Sequence, residues 1–151
     1  DGALFQVPNV ISNAAVDRTL LANESGSTVT VTVASAVDVT GTSDIILPVP
    51  TVGLVYEVSM GTSLTSGNIK VKTDAGTTFI SGGITVSGSA TSASLSFNCN
   101  GTTHVGVNMN GTTQGGLIGS WLMFKALSAT LWNVTGILPG SGTAVTPCTT
   151  T

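Results

Sequence analysis

The chain has 151 residues, a formal net charge of −3 and only 7% charged residues, against about 25% in an ordinary soluble domain. Thr (25), Ser (17) and Gly (19) fill 61 positions, yet 41% of the chain is hydrophobic. This excludes a charged disordered chain, a helical bundle built on Ala, Glu, Lys, Leu and Arg, and a nucleic-acid binder that grips phosphates, because Lys and Arg together number four.

Residues 1–18 hold no clear period. Leu4, Phe5, Val7, Val10 and Ile11 surround Pro8, which reads as an extended N-terminal arm that docks on a neighbour or shell. The alternative is a first edge strand of the same domain. No apolar run reaches the 18 residues of a membrane span, so no membrane partner is expected.

The body, residues 19–137, is a series of short runs between turn signals, the pattern of an all-β fold. Thr28–Val33 alternates strictly, with Val29, Val31 and Val33 on one face. Val37 and Val39 continue it. Ile45–Leu47 ends at Pro48. Leu54, Tyr56, Val58 and Met60 share a face, with Glu57 and Ser59 opposite. Ile69 and Val71 point one way, Lys70 and Lys72 the other; Glu57 lines a groove, faces solvent or pairs with one of these lysines. Phe79–Ile80 and Ile84–Val86 flank Gly82-Gly83. Leu95, Phe97 and Cys99 alternate, and Asn100-Gly101 reads as a hairpin turn into Val105, Val107 and Met109. Trp121–Leu127 and Leu131–Gly136 form a last hairpin, in which Trp121 and Trp132 pack as a cross-strand pair, fill the core or line a subunit interface. Residues 138–151 form a Gly/Ser/Thr-rich tail that packs loosely. Eight to ten strands at this spacing predict an antiparallel β-sandwich, jelly-roll-like.

Chemistry is sparse. His104 is the sole histidine, and no Gly-x-Ser-x-Gly elbow accompanies it. The seven acids form no paired-carboxylate signature. Asp38 and Asp44 bracket a turn. Cysteine pairs at zinc spacing, EF-hand loops and phosphate-binding glycine loops are absent. Catalytic residues, metal ligands and cofactors are therefore not expected. Cys99 and Cys148 either pair as a disulfide that ties the tail to the body or stay as two free thiols. The four Asn-x-Ser/Thr sequons, at Asn23, Asn100, Asn110 and Asn133, follow from composition alone.

Lysine, the usual guard of a sheet edge, occurs only at positions 70, 72 and 125. Edges and apolar surface so lightly charged point to cover by other subunits. Several blocks occur in order: Leu20-Leu21-Ala22-Asn23-Glu24-Ser25-Gly26, Leu47-Pro48-Val49-Pro50-Thr51-Val52-Gly53-Leu54, Ser66-Gly67-Asn68-Ile69, Gly119-Ser120-Trp121, and Leu131-Trp132-Asn133-Val134-Thr135-Gly136. Over residues 19–137 this order resembles small β-rich capsid decoration (cement) proteins of tailed bacteriophages. It departs from them in the long Asn/Gly-rich stretch 98–116 and in Glu24 and Ser120, where that family often has Asp. The resemblance implies a non-enzymatic virion protein on the outer capsid surface, partnered by the major capsid protein and by itself as a homotrimer. The alternative function is a carbohydrate- or receptor-binding module of a fibre or secreted adhesin, stacking ligands on Trp121, Trp132 or Tyr56.

Overall fold

A computed structural model describes residues 9–11, 17–35, 42–89 and 92–151. The described part is all-β. Its strands are β1 (Asn9–Ile11), β2 (Arg18–Thr19), β3 (Thr28–Val31), β4 (Thr42–Ile46), β5 (Val55–Met60), β6 (Asn68–Lys72), β7 (Phe79–Ser87), β8 (Leu95–Asn100), β9 (Gly106–Met109), β10 (Trp121–Ser128), β11 (Leu131–Pro139) and β12 (Cys148–Thr149), with one short 3-10 turn at Ala22–Glu24. They form a seven-stranded sheet, in the order β1-β3-β5-β10-β11-β7-β8, and a five-stranded sheet, β12-β9-β6-β4-β2. Among the described residues no helix is long and apolar enough to cross a membrane.

The period-2 pattern decides which side chains go inside. Val29 and Val31 on β3, Tyr56, Val58 and Met60 on β5, Ile69 and Val71 on β6, and Leu122, Phe124 and Ala126 on β10 are all buried. With Trp132, Val134 and Leu138 on β11 they join one hydrophobic cluster fed by both sheets. The polar residues between them face out: the burial of β5 and β6 alternates without a break.

Strand direction departs from expectation. The sheets are mixed rather than antiparallel: β1–β3, β3–β5, β7–β11, β2–β4 and β4–β6 all run parallel. Alternation specifies a face, not the direction of the neighbour, so the pattern alone leaves this open. Asn100-Gly101 is likewise not a hairpin. It is a tight turn, with Gly101 at φ +72°, that carries the chain from β8 in one sheet to β9 in the other. The β10–β11 hairpin forms as expected, through Ser128–Thr130. The segment after residue 137 is not a loose tail. Leu138 is fully buried, Ala144 and Cys148 are buried, and β12 pairs with β9.

Only part of the N-terminal arm is described. Asn9–Ile11 lies on the edge of the larger sheet, Val10 opposite Thr30 and Ile11 opposite Val31, which is the edge-strand alternative. Leu4, Phe5 and Val7 lie outside the described residues, as do Asp38, Val37 and Val39.

Tyr56 anchors the core to the 3-10 turn. Its ring is fully buried and its hydroxyl donates to the Leu21 carbonyl at 2.9 Å. Glu24, in the same turn, accepts from the Leu21 N–H and pairs with Arg18. Burial, with a smaller push from the negative charge of Glu24, raises the Tyr56 pKa above its ordinary value. A phenol whose pKa is raised on folding stabilises the fold below its unfolded pKa, and that contribution is lost as pH climbs through the folded value. Tyr56→Phe is expected to cost about 1 kcal/mol at neutral pH. It should also flatten the loss of stability above about pH 10, as read by urea titration across alkaline pH. An unchanged alkaline limb would contradict this assignment.

Candidate functional site

Among the described residues, two places hold side chains whose arrangement goes beyond packing. The first is the face of the seven-stranded sheet that points away from the hydrophobic cluster. At its centre Trp121 lies opposite Ile137, and Met123 opposite Thr135, on β10 and β11. Met123 is 38% exposed, Ile137 45% and Leu127 47%, while Trp121 is half-buried. On the flanks Thr28 and Thr30 of β3 and Ser81 and Thr85 of β7 supply hydroxyls. Strands β3, β5, β7, β8, β10 and β11 bring two charged residues to this face, Glu57 and Lys125, one of each sign. Glu57 is opposite Met123 on the neighbouring strand and accepts a hydrogen bond from Ser59 at 2.8 Å. It does not meet Lys70 or Lys72, which sit in the other sheet. Lys72 pairs with Asp44 instead, and Lys70 donates to the Thr151 carbonyl.

The tryptophans do not form a cross-strand pair. Trp132 is opposite Ala126, near the turn of the hairpin, whereas Trp121 is at its open end. Trp132 is fully buried, and its ring lies against Tyr56 at 5.9 Å between centroids with a 58° tilt. Of the three aromatics proposed as a stacking platform, Trp132 and Tyr56 are therefore core residues. Only Trp121 reaches the surface. Val49 and Val52, in the connection between β4 and β5, add further exposed apolar surface at 65% and 71%.

The second place is the corner where β8 meets β12. Cys99 and Cys148 are joined in a disulfide with Cα atoms 5.5 Å apart. His104 stands beside it: one ligand atom from each of the three residues lies within 4.8 Å of the others. A repeated turn builds this corner. Asn100-Gly101-Thr102-Thr103-His104 and Asn110-Gly111-Thr112-Thr113-Gln114 share four residues and a geometry. The Asn100 side-chain oxygen accepts from the N–H groups of Thr102, Thr103 and His104. That of Asn110 accepts from Thr112 and Gln114. Each amide nitrogen donates to the second threonine, and each glycine takes a positive φ. The fifth residue then reaches the C-terminal segment. Gln114 donates to the Thr146 carbonyl at 2.7 Å, and His104 approaches Cys148.

Spacing rules did not foresee the cysteine–histidine corner, because its three residues come from a strand end, a turn and a separate strand. The doubled Asn-Gly-Thr-Thr was the available signal. Three of the four sequon amides are engaged: those of Asn100 and Asn110 are tied into their turns, and that of Asn133 donates to the Ser81 carbonyl. No family model, curated protein or solved structure matches this chain.

Proposed function

We propose that this protein is a non-enzymatic virion structural protein, a head-decoration (cement) protein. In this reading it sits on the outer surface of a tailed-phage capsid and bridges major capsid protein subunits, acting as a homotrimer. The two sheets are read as stacked face to face in a jelly-roll-like sandwich, a reading supported by the single cluster that both feed. The observation that carries the functional reading is the broad, nearly uncharged face around Trp121, Met123, Leu127 and Ile137. Exposed apolar area of this kind on a domain rich in hydroxyls suits a permanent neighbour. Three of the four sheet edges agree with it: β1, β8 and β12 carry no charged residue, and β2 carries only Arg18, which is paired with Glu24, although free edges are usually guarded by charge.

The mechanism needs no chemistry. Burying apolar area contributes roughly 25 cal/mol per Å2 before the costs of association. Clamping adjacent shell subunits converts that energy into resistance to expansion. Leu4, Phe5 and Val7, ahead of the β1 edge strand that takes up Val10 and Ile11, remain the candidate arm for a second contact. The carbohydrate- or receptor-binding reading has less support, because two of its three aromatics are buried.

Met123→Lys with Ile137→Glu tests the face, the new lysine lying opposite Glu57 rather than setting two like charges against each other. Both side chains are partly exposed, so stability is expected to change by no more than about 0.5 kcal/mol per site. Sedimentation with shells stripped of this chain should recover the wild type in the pellet and leave the double variant in solution. Equal binding of the two would move the contact elsewhere, and failure of the wild type to sediment would contradict the role.

A further inference from the structure

We propose that Cys99, Cys148 and His104 form a latent metal site, closed while the disulfide is intact and able to hold a zinc ion once it is reduced. The chain contains two cysteines and one histidine. All three converge on one corner from three separate elements, with a ligand atom of each within 4.8 Å of the others. In a tetrahedral zinc site with Zn–S near 2.3 Å and Zn–N near 2.0–2.1 Å, ligand atoms lie about 3.5–3.8 Å apart. The His104 nitrogen therefore stands within about 1.3 Å of that spacing from both sulfurs, and the sulfurs, bonded to each other in the oxidised chain, move apart to reach it once the bond is reduced. Two thiolates and an imidazole suit zinc among the common divalent ions. His104 is only partly buried, which leaves the fourth position to water.

The disulfide and the metal exclude one another. Disulfide sulfurs carry no thiolate charge, so the oxidised corner offers the imidazole alone. A phosphine reductant opens the bond with a balanced step: the phosphorus takes oxygen from water, and two electrons and two protons reach the sulfurs. Zinc then displaces both thiol protons into solvent. Coordination also has a local cost. His104 Nδ1 accepts the Asn100 N–H at 2.9 Å, so the neutral ring carries its proton on Nε2. Metal at either nitrogen ends that hydrogen bond. The rest of the Asn100 turn, held by the side-chain oxygen, stays in place and keeps the ring at the corner. This proposal stands independently of the capsid reading.

The experiment uses the full chain, reduced with a phosphine under argon and titrated with Co2+ as the spectroscopic stand-in for Zn2+. One equivalent should produce a thiolate-to-cobalt charge-transfer band in the near ultraviolet and the visible bands of a tetrahedral ion. Zn2+ should displace the Co2+ and raise the melting temperature of the reduced protein. The oxidised protein should show neither band. His104→Ala keeps both thiols and should bind at least about tenfold more weakly. No charge-transfer band in the reduced chain would overturn the proposal. So would unaltered affinity in His104→Ala, or a reduced chain that stays unfolded with metal present.

Discussion

Replacing Cys99 and Cys148 by Ser is expected to lower the unfolding free energy by about 4 kcal/mol. The bond closes a loop with a sequence separation of 49, and the chain-entropy cost of that closure in the unfolded state sets the figure. For a chain of this length the loss corresponds to a fall in melting temperature of roughly 10 °C. The position of the bond adds a local signature. It joins β8, the edge of the larger sheet, to β12, the edge of the smaller one. β12 is two residues long and meets β9 through two paired positions. The amides of Val105 and Asn108 donate to Thr149 and Pro147 of the same terminal segment. In the double serine variant those two amides should exchange faster with solvent than the β10–β11 hairpin does. Calorimetry and hydrogen exchange in metal-free buffer check both parts. A melting temperature within a degree or two of the wild type would show that the terminal segment holds itself.

Gly82→Ala is expected to cost more than about 4 kcal/mol, in the range where a core backbone is disrupted rather than adjusted. Gly82 sits inside β7 at φ +131°, and a Cβ there would lie 2.0 Å from the Val134 carbonyl oxygen on β11. The partner is backbone, in the middle of the nine-residue parallel pairing between β7 and β11, so it cannot move aside without parting the sheet. Gly111 repeats the case in the second Asn-Gly-Thr-Thr turn, with φ +76° and a Cβ 2.0 Å from the Leu64 carbonyl. Gly76 is the control. It has nothing within 4 Å and no positive φ, so Gly76→Ala should be neutral or stabilise by up to about 1 kcal/mol. Denaturant midpoints separate the two classes. Similar midpoints for Gly82→Ala and Gly76→Ala would show that β7 accommodates a side chain.

These two results also mark what the amino-acid order reveals. Which residues enter the core is readable strand by strand. Tyr56, Val58 and Met60 against Glu57 and Ser59, or Ile69 and Val71 against two lysines, leave one choice of face once a strand forms. Sheet membership is not readable in this way. β8 and β9 are joined by an Asn-Gly turn and look like a hairpin, yet they belong to different sheets. Nothing in a period of two distinguishes a return from a crossing. The parallel partners of β7 and β11 lie 52 residues apart, as Phe79 and Leu131, and their contact rests on Gly82, whose role is set by a carbonyl on another strand. The candidate site divides similarly. The shortage of charge predicts covered surface in general, but the pairing of Trp121 with Ile137 and the burial of Trp132 depend on register. Cys99 and Cys148 are neighbours because two sheet edges coincide, which no spacing between them encodes.

Electron cryomicroscopy of tailed-phage heads purified after co-expression with this chain tests the proposed structural role most directly. The expected result is density for a three-fold cluster of the chain on the outside of the head, above junctions between major capsid protein subunits. The face around Trp121, Met123 and Ile137 should be turned against a neighbour. Particles that lack the chain, or that carry it as isolated copies with this face open to solvent, would contradict the account.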